Sequence, residues 1–184
     1  QCGVPTGQPK FPLLTYQELP DPATPSDKEW AAVTTTQVSW GTTDVRYAKH
    51  GLPRLKNQQT VALKGWRGER VNAQAVVWTG VELKDLNFSF GDFKDKKGNV
   101  LPQDAFTGGF VRYVMTDELN KDGRGACGHR KAVDYDSLLV ADPIDTSLKA
   151  MALPARTVQP VWVQCWIPQS AVPGTYKGEL LIND

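Results

Sequence analysis

Glu69-Arg70-Val71-Asn72-Ala73-Gln74-Ala75-Val76-Val77-Trp78-Thr79 is the stretch whose reading decides the fold. Val71, Ala73, Ala75 and Val77 recur at a spacing of two, with Arg70, Asn72 and Gln74 between them. A period of two is that of a β-strand, whose side chains point alternately to opposite faces. Val76 and Trp78 turn the second face apolar near the end. The second half of this strand is therefore expected to be buried on both sides.

Other segments carry the same period. In Val158–Ile167, Val161, Val163, Cys165 and Ile167 face one way and Trp162, Gln164 and Trp166 the other. Pro160 puts the start of that strand at an edge or entry position, because proline has no N–H for a ladder. Leu83–Phe90 alternates too, with Leu86, Phe88 and Phe90 on one face. Phe110–Met115, Thr36–Trp40, Asp44–Ala48 and Gln59–Trp66 read as further strands, with breaks at Gly41 and at Gly65-Trp66-Arg67-Gly68. Lys94–Asn99 is a polar turn. Pro173-Gly174 makes a turn before a closing strand, Thr175–Ile182. Ser26 with Glu29 three places on has the form of a capping box and opens one helical turn through Trp30. No longer stretch has a helical period. Eight or nine short strands separated by turn signals predict an all-β fold, a two-sheet antiparallel β-sandwich of immunoglobulin or jelly-roll type. Thr116–Ala155 shows little pattern and reads as one long loop region. Residues 1–25 hold six prolines and read as an extended arm, leaving 26–184 as the sandwich domain.

The bulk properties agree. A chain of 184 residues with 13 Pro and 16 Gly fits one strand-rich domain. Its size suffices to bury about 70% of the unfolded chain's surface, so no cofactor or dense disulfide set is needed. A net charge of +1 without a basic stripe speaks against a nucleic-acid partner. The apolar runs fall short of the roughly 20 residues that a membrane-spanning helix needs. Of the three cysteines, Cys127 and Cys165 either bridge two strands or stay as buried thiols, and Cys2 lies in the arm.

Chemistry was sought in four places. His50 and His129 lack the GxSxG context of a serine hydrolase. Cys127-Gly128-His129-Arg130 brings a thiol near an imidazole, yet a zinc site needs about four ligands, so a glycine-turned loop is the better reading. Glu118–Gly123 resembles half a calcium loop, but His129 stands where the bidentate glutamate belongs, and no metal is expected. Asp134 and Asp136 flank Tyr135, and Asp142 and Asp145 flank Pro143-Ile144. Glycosidases use such carboxylate pairs, but nothing indicates an enclosure that would raise one pKa. His129, Arg130, Tyr135 and Asp136 are read as candidates for carbohydrate binding or for an interface with a neighbouring domain, and no catalytic residue is assigned.

Exposed indoles are the remaining candidates. Trp40, Trp66, Trp78, Trp162 and Trp166 are available, and Trp162 and Trp166 share one face of a strand about 13 Å apart. With Gln164 between them they form either a glycan platform or a surface that packs on another domain.

The C-terminal stretch reads Val161-Trp162-Val163-Gln164-Cys165-Trp166-Ile167-Pro168, then Pro173-Gly174-Thr175-Tyr176-Lys177-Gly178-Glu179-Leu180. With Val38–Tyr47, Gly65–Arg70, Cys127–Arg130 and Leu139–Ile144, it resembles the N-terminal domain of glycoside hydrolase family 123-like bacterial proteins over about residues 30–182. The resemblance implies a secreted, periplasmic or cell-surface protein. It also implies a β-sandwich that precedes a (β/α)8 barrel, in which characterised members cleave terminal N-acetylgalactosamine with an adjacent Asp-Glu pair. That barrel is expected downstream of Asp184. Asp117-Glu118 is expected in a sandwich loop rather than at a barrel strand end, so the catalytic role is not carried onto it. The expected function is a non-catalytic accessory domain that supports the barrel, its partner in the same polypeptide. The alternative is an autonomous carbohydrate-binding module whose partners are glycans.

Overall fold

The computed structural model describes residues 18–116 and 138–184. In chain order these hold helix α1 (Asp27–Trp30) and strands β1 (Thr36–Gly41), β2 (Arg70–Thr79), β3 (Leu83–Phe90), β4 (Phe93–Lys94), β5 (Val100–Leu101), β6 (Phe106–Thr116), β7 (Leu138–Asp145), β8 (Ala150–Leu153), β9 (Thr157–Trp166) and β10 (Leu180–Asn183). One sheet has the order β1-β2-β9-β6-β7, a second the order β10-β3-β8, and β4-β5 is a separate hairpin. Each pairing is antiparallel. The fold is thus the expected all-β sandwich.

The inner core lies between the two larger sheets. Ala75, Val77, Phe110 and Val161 from the five-stranded sheet meet Leu83, Leu86 and Leu153. The alternation in β2 supplies Ala75 and Val77 to this layer. Its out-of-phase residues Val76 and Trp78 enter a second core on the far face, with Trp30, Val33, Tyr47 and Val158. The later part of β2 is therefore buried on both faces, as its sequence predicts. Helix α1 serves this second core. Ser26 Oγ accepts from Glu29 N at 3.4 Å, and the turn carries Trp30 inward, where its Nε1 donates to His50 O at 2.9 Å.

Several expectations change. Residues 44–48 form no strand; they cross the outer face so that Tyr47 joins the second core. Residues 59–66 form no strand: contact with β1 ends where Gln58 O accepts from Trp40 N and Gln59 Nε2 donates to Val38 O, and beyond that no ladder forms among the described residues. The closing strand shortens to β10. Thr116–Ala155 is not one long loop, because it contains β7 and β8. Both are edge strands, where Pro143 and paired aspartates are tolerated and blunt the alternation that a central strand would show.

Pro160 sits in a central strand rather than at an edge, and the local pairing explains how. The β6–β9 ladder ends at Phe110↔Val161, one residue short of it. There β6 bulges, and its pairing with β7 shifts between Val111 and Tyr113. A bulge strands backbone groups. Gln159 Nε2 donates to both Val111 O and Pro160 O at 2.8 Å. On the other side of Arg112, the Tyr113 N–H donates to Glu18 Oε1 at 3.2 Å. Side chains thus complete the ladder that the bulge interrupts.

Candidate functional site

Two surfaces gather the exposed aromatics, at one end of the sandwich. The first lies on the outward face of β2 and β9. The register sets Arg70 opposite Trp166, Asn72 opposite Gln164 and Gln74 opposite Trp162. Trp162, Gln164 and Trp166 therefore line up as their spacing predicts. Asn72 Oδ1 accepts from Trp162 Nε1 at 3.3 Å and from Gln164 Nε2 at 3.0 Å. The Arg70 guanidinium lies 4.7 Å from the Trp166 ring centre, and Trp166 Nε1 donates to Gly68 O at 3.1 Å. Trp166 is nonetheless 55% exposed, while Trp162 packs partly against Val111 and Tyr113. His129, Arg130, Tyr135 and Asp136 lie outside the described residues, as do Cys127, Asp134 and the calcium-like loop at Glu118–Gly123.

The second surface was not anticipated as a site. On the inward side of the same end, residues 59–67 and 171–181 stand off the five-stranded sheet and leave a groove of about 1080 Å³. Val71, Ala73, Phe106, Val163 and Cys165 line it from the sheet. Trp66, 85% exposed, stands in its wall with Val61, Leu63, Val172 and Leu181, all well exposed. The hairpin shapes one side: the Phe93 and Phe106 rings stack 4.1 Å apart, and a Cβ on Gly178 would sit 2.5 Å from the Phe93 ring. Tyr176 turns inward, packing toward Cys165 and donating its hydroxyl to Val172 O at 2.8 Å. The missed signal was in Gln59–Leu63: Val61, Ala62 and Leu63 run without polar alternation, which suits a strand with one wet face poorly.

Among the described residues the titratable groups show no acid–base pair. Asp142 and Asp145 are three apart on β7 and diverge. Asp142 pairs with Arg46 at 3.2 Å on the surface. Asp145 accepts from Ser147 Oγ at 2.6 Å and from the backbone of Ser147 and Leu148, and these bonds hold its carboxyl below the usual range. Burial tends to raise the pKa of Glu18, but hydrogen bonds from Lys49 and Arg112, at 2.6 and 2.9 Å, outweigh it and lower the value. Asp92 and Asp95 are lowered as well, by Lys94 and by Asn99. A general acid requires the opposite shift. Burial pushes the Cys165 thiol up, away from the reactive thiolate. Among the described residues no group of three or more metal-ligating side chains converges, and no helix is long and apolar enough to cross a membrane.

The class is that of an antiparallel β-sandwich with an apolar, aromatic-walled groove at one end. The family model for the glycoside hydrolase 123 N-terminal domain matches residues 40–184, and the chain belongs to that family. Among solved structures it is similar to a family 123 glycoside hydrolase from Clostridium perfringens, analysed for the details of glycolipid glycan hydrolysis. The TM-score is 0.69 at 20% identity, over 82% of this chain and 24% of that one. The chain thus spans about a quarter of that enzyme's length. Comparison with curated proteins finds no match.

Proposed function

We propose that this is a non-catalytic accessory domain that seats against a catalytic (β/α)8 domain of the same polypeptide through the end groove. The observation that carries the reading is Trp66, 85% exposed in the wall of a largely apolar groove of about 1080 Å³. Contiguous apolar surface of this kind is characteristic of protein contacts. Segment 59–67 supports it, since exposed Val61 and Leu63 join no sheet among the described residues. The family's place at the N-terminus of a longer hydrolase supports a catalytic domain as the occupant.

The test compares two lengths of protein. Leu63→Ser with Trp66→Ser should change the stability of the 184-residue chain by no more than about 0.5 kcal/mol, as surface substitutions do. In the full-length hydrolase the same pair should lower the melting temperature of the catalytic domain and its glycosidase activity. Equal melting temperatures and rates for wild type and variant at full length would overturn the proposal.

A further inference from the structure

We infer that the outward face of β2 and β9 is a binding site for a neutral pyranoside, separate from the groove. The amide of Asn72 anchors the face. Its Oδ1 takes two donors, Trp162 Nε1 and Gln164 Nε2. This fixes both amides. Asn72 Nδ2 then points away with two N–H donors, and Gln164 turns Oε1 away as an acceptor. Among the described residues neither atom has a partner. A donor and an acceptor side by side, both held in place, match a pair of neighbouring sugar hydroxyls, each of which gives and takes a hydrogen bond.

The apolar half of the recognition comes from Trp166. One side of its ring carries Arg70, and at 55% exposure much of the rest lies in solvent. The electron-rich face of an indole attracts weakly positive C–H edges, and a pyranose presents a row of them on one face. Two of this ring's contacts prevent it from turning: the guanidinium at 4.7 Å and the Nε1–H bond to Gly68 O at 3.1 Å. A held ring loses little entropy on binding. On β6, Thr107 lies opposite Gln164 and offers only a small side chain there, while the outward side of Gly109, opposite Trp162, is closed by Ile144, so the open floor lies toward Gln164 and Trp166. About 13 Å separates Trp162 from Trp166, room for a short oligosaccharide along the strand. A protein interface would instead leave the fixed amide atoms to be met by chance. The proposal takes from the preceding section only the expectation that saccharides are the relevant ligands; it does not need the groove to be a docking surface.

The test is titration of the ¹⁵N-labelled 184-residue chain with lactose and with methyl β-D-galactopyranoside, followed by NMR. Saturable shifts are expected for the indole N–H groups of Trp162 and Trp166 and for the Asn72 and Gln164 side-chain amides. Trp166→Ala and Asn72→Ala should each weaken binding about tenfold or more, equivalent to about 1.4 kcal/mol. Trp166→Phe, which keeps a stacking ring, should retain most of it, and its unchanged spectrum elsewhere reports an intact fold. No shift up to the solubility limit overturns the site. So does binding that survives Trp166→Ala, or binding that moves Trp66 alone. Failure of the groove variants at full length would leave this titration untouched, so the two proposals fall separately.

Discussion

Glu18 accounts for three strands of chain with one carboxylate. It bonds Lys49, Arg112 and the Tyr113 N–H, so it ties a segment before the first strand to the bulge in β6. Its pKa is lowered in the folded protein. A carboxyl with a lower folded pKa adds stability above its unfolded value, 4.5, and loses that contribution as pH falls through the folded one. Glu18→Gln should therefore cost about 2–3 kcal/mol near neutral pH. The gap to wild type should close below pH 4.5, which urea melts at a series of pH values would measure. None of this was legible in the sequence, because Lys49 and Arg112 lie 31 and 94 residues away from Glu18. The Trp162–Trp166 pair was legible, since both members sit on one strand and a period of two places them.

At the scale of elements, the strands read best were those whose sequence shows the period of two. β2, β3 and β9 alternate, and their bounds in the structure lie within a residue or two of their patterns. Misreadings arose where tertiary context decides. Gln59–Trp66 has strand composition but no neighbour to pair with. β6 begins four residues before its apolar run, because Gly108 and Gly109 hide its start. There the missing side chain has a purpose: a Cβ on Gly108 would come within 2.5 Å of the Phe88 ring, which packs onto β6. Gly178 does the same for Phe93. The Phe93 ring is held from behind by Phe106, so it has nowhere to retreat. Gly178→Ala should thus destabilise the domain by about 1–3 kcal/mol, as overpacking does, with the loss read from the denaturant midpoint. An unchanged midpoint would mean that the hairpin shifts freely.

On the scale of the whole molecule, one sheet carries a core on each face, and the two cores draw on different parts of the chain. The inner core comes from strands after residue 40, apart from Val38 and Trp40 at its margin. The outer one is closed by Trp30, Val33 and Tyr47, and the bulge beside it by Glu18. The family match starts at residue 40. Kinship and self-sufficiency therefore have different borders along this polypeptide. A protein begun at residue 40 would keep nearly everything shared with its relatives, yet it would lose the indole that seals the outer core. Removing a buried Trp side chain alone costs about 3–5 kcal/mol, a large part of what a domain has to spare. Such a protein should bind a hydrophobic dye and precipitate on expression, whereas one begun at residue 18 should stay folded. The stretch least able to announce its ancestry is thus the one that its relatives' common part needs in order to stand alone.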